Sequence, residues 1–455
     1  MAHPDLIKLM AWAWTALVLS TQASMIIDSF QNADRNDLQA WHGVTPGLPI
    51  SYGAGYVQIY PSTPDQAYHT QLSPSLCFNL IEHLLQSLPA SDPNTNSSEF
   101  KERALHIHFS GAPVFSISLS QNNAGCTSPT PETWDSVDAA RYAHNGEIYI
   151  PLSHFDIDQT RVVGISIGGF HNDTAELTPH HKNTTGIKHT RDDEDEDENE
   201  EDDVDNEYDE PVDTSSIALH HIDIVSSIPD SFPRKPTKLP SGTLHQFCTV
   251  PGSFAFGIDD GRPALAPAMM RILEEEDALV TFFATGSGLR DEKANFSGVY
   301  REMLRKGHQV AMHSERHPRM EGLSSIEAID DEITQNIEAM KTHLGIECMC
   351  PSTFSNTSTH TSTQIGARTR QRLAALVSPA PRIITWSVDI EDWRWVNSDT
   401  PERQLEAFKR DVLAGGNLAV LHYLDESTVG YLREAIRFVR SRGLTVMRVD
   451  RCLGD

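Results

Sequence analysis

Positive charge is scarce in this chain. Its 455 residues carry 36 Lys and Arg against 64 Asp and Glu, a formal net charge of −28. Such a surface repels phosphate backbones and anionic lipid, which excludes nucleic acid and an anionic membrane as partners. Cysteine is sparse too. The six residues Cys77, Cys126, Cys248, Cys348, Cys350 and Cys452 form no C-x-x-C, which sets aside a structural zinc knuckle. Six cysteines still suit an oxidising compartment and allow fifteen pairings if all are bonded. Long apolar runs are missing as well. The run Leu9–Leu19 is well short of the ~20 residues that a spanning helix needs, and no hydrophobic tail suggests a glycolipid anchor.

The same short run has another meaning. Lys8 supplies a positive start, Leu9–Leu19 an apolar centre and Thr21-Gln22-Ala23 a small-residue end. The expectation is a secretory signal peptide over 1–23, cleaved so that no membrane contact remains. Sequons begin at Asn96, Asn172, Asn183, Asn295 and Asn356, in keeping with export. The mature chain is expected to be extracellular, at the cell wall, and monomeric.

Two kinds of pattern divide the rest. In the N-terminal half Phe115, Ile117 and Leu119 alternate with serines, the mark of a half-buried strand. Stretches 147–152, 161–167 and 218–225 read the same way. The expectation is an all-β sandwich over 24–229. An insertion, 187–214, interrupts it; Asp192–Glu210 alone holds fifteen Asp or Glu and no Lys or Arg. Single-sign charge of that density cannot collapse, so disorder is expected there. Residues 230–247, rich in Pro, Ser and Lys, read as a linker.

From Cys248 to Asp455 apolar strands alternate with helices. Strands are expected at 254–258, 279–284, 308–312, 383–388, 417–421 and 444–449. The clearest helix carries Ile326, Ile329, Ile333, Ile337, Met340 and Leu344 at steps of three or four and stops at Gly345. Another begins at Thr400-Pro401, and a third runs from Ser427 to Gly443. Alternation of this kind predicts parallel strands with crossover helices, an α/β domain of about seven strands in a distorted or incomplete (β/α) barrel. Catalytic groups then belong at the strand C-terminal ends. Asp259-Asp260, His313 and His422 all fall there.

An H-x-x-x-H alone is weak evidence: with 21 His in 455 residues, about one is expected by chance. The joint arrangement is more specific. Cys248-Thr-Val-Pro-Gly-Ser-Phe-Ala-Phe-Gly-Ile-Asp259-Asp260-Gly, Gly307-His-Gln-Val-Ala-Met-His313-Ser-Glu-Arg-His317, Trp386-Ser-Val-Asp389-Ile-Glu-Asp392-Trp393 and Leu418-Ala-Val-Leu421-His422 follow one another in that order. The set resembles the motifs of the polysaccharide deacetylases of carbohydrate esterase family 4, chitin deacetylases in particular.

That resemblance implies roles. Asp259 is the general base. Asp260, His313 and His317 hold a divalent metal, zinc with cobalt as the other candidate. His422 is the general acid, and Asp392 orients it. Trp393, Leu421 and Thr353 line the substrate pocket. A disulfide between Cys248 and Cys452 is implied, and the substrate is an acetylated polysaccharide such as chitin. Departures occur too: Cys350 stands where the family carries an Arg, Gly257-Ile258 where Thr-Phe is usual, and Tyr423 where an Asp is common. They keep an alternative open, a wall-associated carbohydrate-binding protein with an impaired deacetylase domain. Hydrolysis of small amides is a third reading, against which the signal sequence argues. The N-terminal half resembles galactose-binding-like modules through Ile148–Phe155 and Arg161–Phe170, with Trp41, Tyr52, Tyr56, Tyr60 and Trp134 as candidate sugar-stacking rings.

Overall fold

The computed structural model describes residues 24–86, 103–171, 216–233, 236–346, 353–355, 366–378 and 380–454. The expected signal peptide, the acidic insertion, Cys348, Cys350 and the sequons other than Asn295 lie outside the described residues.

The N-terminal half is built from β1 (Ser24–Asp28), β2 (His42–Val44), β3 (Ile50–Gly53), β4 (Tyr56–Ile59), β5 (Ala67–Gln71), β6 (Ala104–Ser110), β7 (Ser116–Gln121), β8 (Thr133–Asp138), β9 (Ala143–His144), β10 (Glu147–Pro151), β11 (Val162–Gly168) and β12 (Ile217–Val225). They form two antiparallel sheets, β3-β4-β12-β6-β10-β9 with β1 on β12, and β2-β5-β11-β7-β8. Ile107, Ile150 and Leu219 from the first sheet share one core with Ile117, Leu119 and Ile165 from the second. A disulfide joins Cys77 to Cys126. The alternation that predicted these strands reports which side chains face that core.

For β7 the prediction was incomplete. Its serines alternate with apolar residues as a half-exposed strand should, yet every residue of β7 is buried. The serine face is covered by the C-terminal half. Ser116 Oγ donates to Glu321 Oε1 at 3.2 Å and accepts from the Ala367 amide at 2.9 Å. Beside it Asp135 and Arg370 form an ion pair at 3.0 Å, both side chains 1% exposed. Arg370 also donates to the carbonyls of Trp134, Ser241 and Gly242, so the buried charge is fully engaged. Trp134, a candidate sugar-stacking ring, instead packs with Leu244, Met312 and Met320. Trp41, Tyr56 and Tyr60 are exposed.

The outer face of the first sheet carries a second polar cluster. Both ring nitrogens of His106 are taken, Nδ1 by Asp223 and Nε2 by Glu147, each at 2.6 Å. Burial alone would lower the pKa of His106, but these two carboxylates outweigh it and raise it above the ordinary value. The stabilisation is therefore complete below the unfolded-state pKa of about 6.5 and fades as pH rises through the folded value. His106→Gln should lower stability most below the unfolded-state pKa of about 6.5, by the ~1.5–3 kcal/mol of a charged hydrogen bond, with the gap in thermal midpoint to wild type narrowing toward alkaline pH. Melting curves across pH would show a constant or widening gap if this account of His106 were wrong.

The C-terminal half contains β13 (Thr243–His245), β14 (Ser253–Gly261), β15 (Thr281–Ala284), β16 (Gln309–Met312), β17 (Thr353–Ser355), β18 (Arg382–Ile384), β19 (Val388–Asp389), β20 (Leu418–Tyr423) and β21 (Thr445–Met447). They make one parallel sheet in the order β13-β18-β17-β16-β15-β14-β20-β19, with β21 also on β14. Among the described residues no pairing joins β13 to β19. β13 lies inside the stretch expected to be a linker, so the parallel sheet begins before Cys248. The single strand expected at 383–388 is two, interrupted at Thr385-Trp386-Ser387.

β14 is covered on both faces, with Ala255 packed on one side and Phe254, Phe256 and Ile258 on the other. Phe254, Phe256 and Ile258 are fully buried, each stabilising the fold by roughly 1.5–3 kcal/mol. Helix 326–339 starts at Ser325, whose side chain accepts from the Ala328 amide. It continues as one π turn over 340–344 and ends at Gly345, φ 71°. The helix expected from Thr400-Pro401 starts later, at Arg403. The disulfide implied by the resemblance is present, Cys248 to Cys452.

Candidate active site

β14 delivers the two aspartates by a break in register. Asp259 pairs with Phe283 on β15 and with His422 on β20. The next pair on the β20 side is Gly261 with Tyr423, so Asp260 is an extra residue on its strand. Its φ of 30° is rare for a side chain other than Gly. A bulge of this kind re-aims the side chain it carries. Gly261 cannot be larger: a Cβ there would lie 2.1 Å from the Tyr423 ring.

The histidines follow β16. The amide of His313 donates to the carbonyl of Ala284 at 3.2 Å, which anchors the loop to the end of β15. His317 is held at φ 63° while its amide donates to Ser314 Oγ at 2.9 Å. Asn336 Nδ2 ties the same loop down, donating to the carbonyls of Ala284 at 3.0 Å and Ser314 at 2.6 Å. Arg290 donates to Glu315 at 3.1 Å, and the Arg316 amide to Glu332 at 2.8 Å.

The result is a compact donor set. His313 Nε2 lies 3.9 Å and His317 Nε2 3.5 Å from Asp260 Oδ2. One ligand atom from each of the three residues falls within 4.8 Å of the others. Donors ~2.0–2.2 Å from a tetrahedral cation stand about 3.4 Å apart, so a small inward movement closes the set. Two imidazoles and a carboxylate suit a borderline divalent ion, and the residues present fit one. Burial pushes the Asp260 carboxyl up, but His317, His313 and His422 outweigh it and hold it below the usual range. Asp259, 2% exposed, has Oδ2 3.9 Å from His313 Nε2.

Opposite stands His422. Asp392 grips it twice: the His422 amide donates to Oδ2 at 2.7 Å, and Nδ1 lies 3.0 Å from Oδ1. That fixes the ring and leaves Nε2 as its other nitrogen. Burial works against a charged ring here, yet Asp392, then Asp259 and Asp260, push its pKa up to about 10. Burial also pushes the neighbouring Asp389 up to about 6.

The remaining predicted residues fall as follows. Trp393 is 40% exposed, with its indole N–H donating to Asp389 at 3.4 Å. Leu421 is buried in the core one residue before His422. Thr353 opens β17, the strand beside β16, through its neighbour Phe354. Asn336 and Glu332 were missed by sequence reasoning, while Ser314 and Asp389 stood inside quoted motifs without a role. Asn336 carried a readable signal as a polar residue on the apolar stripe Ile329, Ile333, Met340.

Residues 248–371 match the polysaccharide deacetylase family model. The chain is 28% identical over 222 residues to a chitin deacetylase of Pestalotiopsis sp, covering 48% of this chain and 70% of that one. To a chitin deacetylase of Colletotrichum lindemuthianum it is 26% identical over 235 residues, 48% of this chain and 86% of that protein. The solved structure of a chitin deacetylase from Colletotrichum lindemuthianum overlaps 48% of this chain and 94% of its own, at 25% identity and a TM-score of 0.41. The C-terminal half of this chain therefore carries a region that matches the polysaccharide deacetylases, a family of hydrolases.

Proposed function

We propose that the protein is a secreted, metal-dependent deacetylase that removes N-acetyl groups from N-acetylglucosamine polymers of the chitin type. The observation that carries the reading is the convergence of Asp260, His313 and His317 within 4.8 Å, with Asp259 and His422 in register beside them. We read the parallel sheet, which begins at Thr243, as an incomplete barrel, preceded by a β-sandwich over 24–229, and the chain as a monomer.

Asp260, His313 and His317 would hold the cation, zinc or cobalt. When bound, a divalent ion there supplies Lewis-acid polarisation of the amide carbonyl and acidifies water. The rest is work for this chain's own groups. Asp259 takes the proton from the attacking water as its oxygen bonds to the acetyl carbon. His422, held at Nδ1 by Asp392, gives the proton on Nε2 to the nitrogen as the carbon–nitrogen bond breaks. Acetic acid, which ionises to acetate in water, and a free amine leave, and passage of a proton from Asp259 back to His422 through solvent resets both groups. The exposed Trp393 offers a flat apolar face beside this pair for a sugar ring or the acetyl methyl.

The deciding measurement is acetate release from a panel of acetylated glycans, with and without a chelator. Release from chitin oligomers that stops on chelation and returns with zinc supports the reading. Zinc uptake with no release from any glycan favours the alternative, a carbohydrate-binding wall protein whose deacetylase domain is impaired, for which Cys350 in place of the family Arg is the motivating feature.

A further inference from the structure

His317 sits in a conformation that needs support, and part of the support downstream of it comes from the other half of the chain. A histidine at φ 63° persists only where its surroundings over-determine it. Upstream, the Ser314 hydroxyl and Asn336 fix the loop. Downstream, residues 319–322 lie against the all-β half. Arg319 pairs with Asp65 at 3.3 Å. Met320 packs in the cluster that contains Trp134. Glu321 accepts from Ser116 Oγ at 3.2 Å. Gly322 is so close to Pro64 that a Cβ would sit 2.9 Å from its Cγ.

Glu321 is the junction. Its carboxylate accepts from the amides of Arg368 and Thr369, each at 3.1 Å, and from the Thr369 hydroxyl at 2.8 Å. Ser116 caps the adjacent Ala367 amide at 2.9 Å. The first turn of helix 367–376 is thus closed jointly by a β7 serine and by a residue four places after a metal ligand. These contacts are buried or nearly so, so the loop has little freedom to shift while the all-β half stays docked.

We infer that the N-terminal all-β half is a positioning element for the metal centre, with Ser116 and Asp65 fixing His317 through residues 319–322. The inference rests on Asp260, His313 and His317 being cation ligands. Removing an outer partner of a metal ligand typically weakens metal affinity by about 10–100-fold. Ser116 and Asp65 act one step further out than a direct partner of a ligand, so in the full chain Ser116→Ala and Asp65→Asn should each weaken Zn2+ binding by about three- to tenfold, at or below the low end of that range, read by competition with a fluorescent chelator, and kcat should return to near wild type at saturating Zn2+. A purely structural role would lower the melting temperature and leave Zn2+ affinity of the folded chain alone. Affinities within about twofold of wild type in both variants overturn the inference, whatever their melting temperatures. Should Ser116→Ala fail to fold, the partly exposed Asp65–Arg319 pair decides by itself. A wild-type chain that takes up no Zn2+ overturns the metal reading and this inference together, whereas unchanged affinity overturns only the latter.

Discussion

Alanine at His313 or at His317 should strip the protein of its cation and its acetate release together. Each removes one of three donors around Asp260 Oδ2, and the remaining two cannot define a site. His313 is 1% exposed and His317 takes a strained backbone to reach the same point. The affinity loss should exceed the about 10–100-fold typical of an outer partner. Elemental analysis after dialysis gives metal content, and release from chitin oligomers gives turnover. A metal-free preparation of either variant that still releases acetate would defeat the assignment outright.

Asp259→Asn separates the two aspartates. Asn keeps the shape of the side chain and loses its basicity, so Zn2+ uptake should stay at wild-type stoichiometry while kcat falls by about 10²–10⁴, the usual weight of a general base. The two residues are neighbours in sequence but not in setting. Asp259 stays in the β14 ladder opposite His422, whereas Asp260 is turned out of it by the bulge. Metal loss in Asp259→Asn, with turnover surviving in Asp260→Asn, would mean the roles are exchanged.

Much of the C-terminal domain was legible because its signals are local. An apolar run announced β14, and the helix from Ile326 showed its period and its terminal glycine. The aspartates and histidines fell at strand ends because parallel strands can put them nowhere else. What stayed hidden was long-range. Nothing within Ser116-Ile-Ser-Leu-Ser120 says that its serine face meets Glu321 some 205 residues away; alternation alone reads as solvent. Trp134 looked like a surface ring for the same reason, since only the docked partner shows that its face is covered. Arg370 could not be anticipated as a buried cation because Asp135 and the three carbonyls that satisfy it come from distant segments. The bulge at Asp260 was equally silent, since a register shift is a property of two strands.

The placement of β14 has a consequence for synthesis. Its neighbour on one side, β15, follows within a few dozen residues, but β20 and β21 on the other are made last. While the chain grows from the ribosome, an apolar strand therefore waits with one open edge, a ready template for pairing with other chains. The sheet around β14 can therefore be completed only once Leu418–Tyr423 has been made, and a product stopped short of Leu418 should precipitate.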